Sequence, residues 1–261
     1  TLLMGLDYKR YTYRDYASEG TVDPIDIFNP VYGSPVTGLT PYTDTDTTQQ
    51  QVGLYAQDQV KLGNWQLTLG GRQDWSDSKV YDNLAGDFLA PQKDAAFTGR
   101  AGLVYLADNG LAPYVSYSES FQPVAGADSD GNLFVPETGK QYEVGLKYQP
   151  EGWNSFVAVS AFDLTRQNVV RSGNEGRPDD LFQTGEIRSR GVELEAVASL
   201  DTGLDLRAAY TYLDTKITKA TSIADVDGTP VSDEGNTPYG VPTHSASLWS
   251  NYTIGSGRLE G

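Results

Sequence analysis

Cysteine is absent from the 261 residues, and histidine and methionine occur once each. Without cysteine there are no disulfides and no thiolate chemistry, a composition compatible with an oxidising compartment. Basic residues are scarce, 19 against 35 acidic ones, for a formal charge of −16. Nucleic acid is therefore excluded as a partner, because phosphate binding needs a basic footprint. Long apolar runs are missing too: nothing approaches the roughly 18–20 residues that a transmembrane helix needs. There is no nucleophile elbow, no phosphate-cradling glycine loop after a strand and no Cys/His ligand cluster. The single histidine, His244 beside Pro242, reads as a rim or packing residue. No catalytic residue, metal site or resident cofactor is expected. Thr1 is not followed by a charged and then an apolar segment of the signal-peptide kind.

Aromatic side chains are abundant: 17 Tyr, 8 Phe and 4 Trp, in a chain only 38% hydrophobic with mean hydropathy −0.43. A membrane barrel fits this combination, since its wall needs apolar residues only at alternate positions on one face. A soluble β-sandwich fits it as well. Period-2 alternation recurs along the chain and helical periodicity does not. In 65–75, Trp65, Leu67, Leu69 and Trp75 oppose Gln66, Thr68, Arg72 and Asp74. In 192–198, Val192, Leu194, Ala196 and Ala198 oppose Glu193 and Glu195. Residues 142–149 and 204–212 repeat the pattern.

The pattern predicts strands at 2–14, 50–62, 65–80, 94–107, 111–120, 139–149, 154–171, 182–200, 204–216 and 243–254. Their connections alternate in length. Short turns are expected at Gly63-Asn64, Asp108-Asn109-Gly110, Pro150 to Trp153 and Asp201-Thr202-Gly203, and long loops at 15–49, 81–93, 121–138, 172–181 and 217–242. Up-and-down outer-membrane barrels sort their loops in this way, short on the periplasmic rim and long outside. A sandwich has no reason to do so. The expected fold is thus all-β: an antiparallel up-and-down transmembrane β-barrel wall of about ten strands. Charge on the lipid side costs about 2–4 kcal/mol near the midplane, so Arg72, Asp74, Glu193 and Glu195 are expected to face the lumen. Trp65, Trp153, Tyr148 and Tyr210 are candidates for interfacial aromatic girdles.

Two acidic stretches, Asp128-Ser-Asp130-Gly-Asn132 and Asp225-Val-Asp227-Gly228, look like pieces of calcium loops. An EF-hand wants glycine sixth and glutamate twelfth, whereas counting from Asp128 puts Gly131 fourth and Gly139 twelfth. Acidic turn residues in solvated loops are the better account.

Six strings carry a family resemblance: Gly53-Leu-Tyr-Ala-Gln-Asp-Gln59, Leu67-Thr-Leu-Gly-Gly-Arg-Gln-Asp-Trp75, Pro113-Tyr-Val-Ser-Tyr-Ser-Glu-Ser-Phe121, Gly139-Lys-Gln-Tyr-Glu-Val-Gly-Leu-Lys147, Gly185-Glu-Ile-Arg-Ser-Arg-Gly-Val-Glu-Leu-Glu195 and Val241-Pro-Thr-His-Ser-Ala-Ser-Leu-Trp249. In that order and spacing the chain resembles the TonB-dependent receptors, specifically the ferrichrome-type siderophore branch. The resemblance implies a 22-stranded barrel around a plug, of which 1–261 would be a partial barrel domain without the plug. Ten strands of such a wall are expected to leave open edges and not to transport alone. It further implies an outer-membrane location in a Gram-negative cell and a monomer when complete. Implied partners are a ferric siderophore, the TonB complex acting through the missing plug, and outer-membrane lipid and lipopolysaccharide. Iron would arrive as cargo on its chelate. The implied vestibule candidates are Tyr16, Phe121, Phe134 and Tyr239, with Tyr16 thirteen residues before Asn29-Pro30. A TonB-dependent receptor for another ligand (a different siderophore, a glycan or cobalamin), a passive porin and a sandwich adhesin are the competing readings.

Overall fold

The structure is a computed structural model that describes residues 1–128, 131–172, 181–200, 203–220, 223–224 and 230–255. Among these residues there is no helix, and the strands are β1 (Leu2–Thr21), β2 (Thr37–Leu62), β3 (Trp65–Asp82), β4 (Asp87–Phe88), β5 (Gln92–Tyr105), β6 (Leu111–Gln122), β7 (Glu137–Tyr148), β8 (Phe156–Ser172), β9 (Leu181–Leu200), β10 (Leu204–Lys219), β11 (Ile223–Ala224), β12 (Pro230–Val231) and β13 (His244–Tyr252). Ten of them form one antiparallel meander in the order β1-β2-β3-β5-β6-β7-β8-β9-β10-β13, with β4 added to β3 and β11–β12 a separate small pair. Each long strand thus lies beside its neighbour in sequence, as the alternation of short and long connections requires.

The short turns all join strand ends on one rim. Gly63 sits at φ 58 in the β2–β3 turn and Gly203 at φ 84 before β10, left-handed positions that glycine takes at no steric cost. Asp201 and Thr202 of that last turn lie outside the described residues, as do 173–180 of the β8–β9 connection.

Register fixes the faces. Trp65, Leu69 and Trp75 are on one face of β3 and about half exposed. Arg72, Asp74, Ser76 and Ser78 are on the other, where Asp74 is only 3% exposed. Following the ladders from β3 through β5, β6, β7 and β8 to β9 places Glu193 and Glu195 on the face of Arg72, and Val192 and Leu194 on the face of Leu69. No second sheet covers the apolar face among the described residues, which a sandwich would require.

The apolar face has the dimensions of a membrane band. Trp65 packs on Tyr105 near the short-turn rim, ring centroids 4.8 Å apart. Ten residues further along β3, Trp75 lies opposite Val52, which in turn lies opposite Tyr8. Ten residues at about 3.3 Å span about 33 Å, which the usual tilt of about 40° projects to about 25 Å. That is the height of the apolar belt of an outer-membrane barrel. Of the other girdle candidates, Tyr148 is on the apolar face near the short-turn rim and Trp153 is in the turn after it. Tyr210 shares that face and meets His244, its hydroxyl 2.9 Å from Nδ1.

Above the belt the strands outrun the sequence expectation. β1 continues to Thr21 and β2 begins at Thr37, so most of the expected 15–49 loop is a long hairpin. Its β2 arm is threonine-rich and so has high β propensity. The arms have no apolar alternation because polar side chains occupy both faces. A small core of Val169, Ile187 and Ile217 closes the upper ends of β8, β9 and β10. Among the described residues the sheet does not close on itself: β1 pairs only with β2, and β13 only with β10.

Candidate functional site

The polar face is built on close packing over glycine. The Tyr55 ring lies against Gly5, Tyr114 against Gly145 and Phe162 against Gly191, each directly across a ladder. A Cβ on these glycines would meet ring atoms at 2.4, 2.5 and 2.6 Å respectively. Arg72 uses the same device, since a Cβ on Gly53 would lie 1.7 Å from its Nη2. The side chains therefore lie flat along the sheet and leave the lumen side open.

A network centred on Arg72 then ties β1, β2 and β3 together. Arg72 donates to Asp7 of β1 at 2.5 and 3.0 Å and to Asp74 of its own strand at 2.7 Å through two nitrogens. Gln51 of β2 donates to Asp74 at 2.8 Å. Both partly buried carboxylates are thereby paired and hydrogen-bonded, the condition under which burying charge is tolerable.

Directly above this network is a recess of about 570 Å³, lined by Lys9, Tyr11, Tyr13, Gln49, Gln51, Arg72, Asp74, Thr98, Glu119, Ser120, Phe121, Gln122 and Pro123. The volume is within the range of small-molecule sites. Its chemistry is aromatic and amide-rich over an ion-paired floor. Such a wall suits a ligand offering apolar surface and hydrogen-bond acceptors more than a highly charged one.

A strap, described at residues 123–128 and 131–136, meets the recess at Pro123. One buried side chain, Gln92 of β5, donates to Val124 O at 3.0 Å and to Phe134 O at 2.6 Å, and accepts from Gly126 N at 3.0 Å. Gln49 adds a longer contact to Pro123 O at 3.4 Å. At the far end Gln183 bonds both N and O of Val135, and Asn168, at φ 59, donates to Pro136 O at 2.9 Å. Within the strap, Asp128 accepts from the backbone and side chain of Asn132, a turn closed by an acidic side chain. Ser129 and Asp130 lie outside the described residues, as do Asp225, Asp227 and Gly228 of the second acidic stretch. Further along the rim, Thr218, Gln167 and Lys219 hold the Glu186 carboxyl below its ordinary range by hydrogen bonding.

Of the four expected vestibule residues, the structure brings only Phe121 to the recess. Tyr16 must be corrected. β1 keeps strict alternation through Tyr16, which lies opposite Asp44 on the face away from Asp7 and Tyr13. Phe134 also moves: it is 5% exposed, packed against Gly126 inside the strap rather than open to ligand. Tyr239 is fully exposed on the β10–β13 connection and lines none of the recess. The residues missed are Tyr11, Tyr13, Gln49, Gln51 and Gln122. Tyr11 and Tyr13 were within reach, because they share strand parity with Asp7 in a segment already read as a strand. Gln49 was hidden by reading its segment as loop.

An antiparallel meander with one polar and one membrane-height apolar face, loops sorted by rim and a recess at the long-loop end defines a transmembrane β-barrel wall. Comparison with known proteins gives the family. Residues 1–261 match the family described as TonB dependent receptor-like, beta-barrel, and the chain belongs to it. It is 38% identical over 261 residues to the ferrioxamine B receptor of Salmonella typhimurium, covering all of this chain and 35% of that protein. It is 39% identical over 270 residues to the ferrichrome outer membrane transporter/phage receptor of Escherichia coli K12, covering all of this chain and 34% of that one. The chain thus spans about a third of the length of these curated relatives. Among solved structures, the siderophore receptor PiuA of Acinetobacter baumannii matches with TM-score 0.73 at 21% identity, over 96% of this chain and 40% of that one. The ferric preacinetobactin receptor BauA of the same species matches with TM-score 0.70 at 25% identity, over 98% and 38%.

Proposed function

We propose that the full-length protein is a Gram-negative outer-membrane receptor that imports a ferric siderophore of the hydroxamate type with TonB-coupled energy. The observation that carries the reading is the recess at the long-loop end of the polar face. Its tyrosines, Phe121 and amides suit a compact chelate whose charge is largely neutralised, and the ferrioxamine B and ferrichrome receptors are relatives along the whole of this chain. Iron is cargo, and the protein needs no resident cofactor and performs no catalysis. In the full-length protein, further strands pair with the free edges of β1 and β13, since unpaired backbone in lipid has no partner. A plug outside this chain fills the lumen and carries the TonB contact. The complete barrel is a monomer with lipid and lipopolysaccharide around its apolar face. Phe121, Tyr11 and Tyr13 contact the chelate, while Arg72 and Asp74 hold the floor and Glu193 and Glu195 line the lumen wall.

Growth of a deletion strain on single iron sources tests this. Loss of growth on ferrioxamine B or ferrichrome, restored by the gene, is the expected result. Unimpaired growth on every hydroxamate source would overturn it, and growth defects on a catecholate, a glycan or cobalamin instead would select another ligand class.

A further inference from the structure

The seam between β5 and β6 is split. The two strands pair only from Arg100–Ser118 to Val104–Tyr114, yet β5 extends upward to Gln92 and β6 to Gln122. Each remains fully laddered on its other side, β5 to β3 and β6 to β7. Continuing the register would set Gly99 opposite Glu119 and Thr98 opposite Ser120. The split starts one residue beyond the last pair, and the contact there explains it. The Gly99 N–H donates at 2.9 Å to Oε2 of Glu119, not to the main-chain carbonyl that an extended ladder would offer. The other oxygen, Oε1, accepts from the Tyr117 hydroxyl at 2.7 Å, and Lys140 Nζ lies 3.9 Å from it. Glu119 thus substitutes its carboxylate for its own carbonyl, and the length of the side chain separates the strands.

The split has a consequence for the recess. By register with β7, Phe121 shares parity with Tyr117 and lies opposite Thr138, on the apolar face. In a closed seam it would face away from Tyr13 and Gln51. With the seam open, it lines the recess together with Gln122.

We propose that Glu119 is a positioning residue that holds the upper β5–β6 seam open and so admits Phe121 to the recess. Its effect on ligand rests on the reading of the recess as the siderophore site; its effect on the seam does not. The test uses the full-length protein in outer membranes. This span contains no cysteine, so the pair Thr98→Cys and Ser120→Cys reports the seam cleanly. With Glu119 in place, oxidative cross-linking should be slow. In Glu119→Ala it should be at least tenfold faster, because the strands can zip. Glu119→Gln keeps an oxygen acceptor for the Gly99 N–H and should restore slow cross-linking. Glu119→Asp, shorter by one methylene, should be intermediate, and it serves if the alanine variant fails to assemble. In backgrounds without the cysteines, ferrioxamine B and ferrichrome should each bind at least tenfold more weakly to Glu119→Ala and recover with Glu119→Gln. Equal cross-linking with and without the carboxylate would overturn the seam assignment whatever the ligand. A seam that closes while both probes bind unchanged would overturn the role in the recess. A native protein that binds neither probe would remove ferrioxamine B and ferrichrome as its ligands, and cross-linking would still decide the seam.

Discussion

The β2–β3 and β5–β6 seams belong to one sheet and differ in what holds them. The first is laddered at every residue of β3, from Trp65 to Asp82. The second is laddered over five residues and then handed to side chains: Glu119 on Gly99, and Gln92 on the strap beyond. Backbone pairing is the only stable arrangement against lipid. Where a strap and an aqueous rim supply other partners, side chains can replace the ladder and shape a recess. The lower wall is therefore a scaffold built from repetition, and the upper wall is a recess built from exceptions.

Substitutions separate the two regimes. The largest expected effect is in the ladder-held belt. Leu69→Arg places a charge near its midplane and should cost about 2–4 kcal/mol, read as a lowered urea midpoint for the full-length protein folded into bilayers. An unchanged midpoint would mean that this face does not meet lipid. Gly53→Ala should cost about 1–3 kcal/mol through overpacking, because it drives Arg72 off its seat and breaks the ties to Asp7 and Asp74. The loss should be partly recovered by Arg72→Ala in the same chain, which a purely backbone effect would not allow.

Gln92→Ala sharpens the contrast from the upper side. It leaves Val124 O, Phe134 O and Gly126 N without their shared partner, a loss of about 1–3 kcal/mol for unsatisfied buried groups. The effect should be confined to the strap: faster amide exchange and protease cleavage within 123–136, with the global midpoint unmoved. Joint loss of both would show that the strap is part of the cooperative wall. The smallest effect is expected in the arms of the β1–β2 hairpin. Hydrogen bonding from Arg14, followed by its charge, holds the Asp44 carboxyl below the ordinary aspartate range. A depressed folded value means that the contribution is present above the unfolded value of about 4 and fades as pH falls through the lowered one. Amide exchange at residues 14–17 and 43–46, corrected for intrinsic rates, should quicken only in that acid window. Asp44→Asn should abolish the dependence.

Much of the wall was legible from residue order. The short turns carry glycine, asparagine and aspartate at the rim, so the expected lower ends of strands such as Leu62, Trp65, Leu111 and Leu204 coincide with the observed ones. Upper ends were read short, β1 by seven residues and β2 by thirteen, since apolar alternation fades where polar side chains occupy both faces. The same error misplaced Tyr16. Counted as loop it was free to point at ligand, whereas as the continuation of β1 it must share a face with Arg14 and Leu6. Phe134 failed for another reason: an aromatic in a long connection can pack into its own loop, and no pattern in the chain distinguishes the two fates.

The faces of this protein were determined by its sequence alone, because a strand alternates its side chains whatever surrounds it. Arg72, Asp74, Glu193 and Glu195 could be set against Leu69 and Leu194 from parity. Where the β5–β6 ladder stops was decided only in three dimensions. That boundary depends on which acceptor reaches the Gly99 N–H, the carbonyl or the carboxylate of a residue twenty positions away, and local periodicity carries no record of that competition.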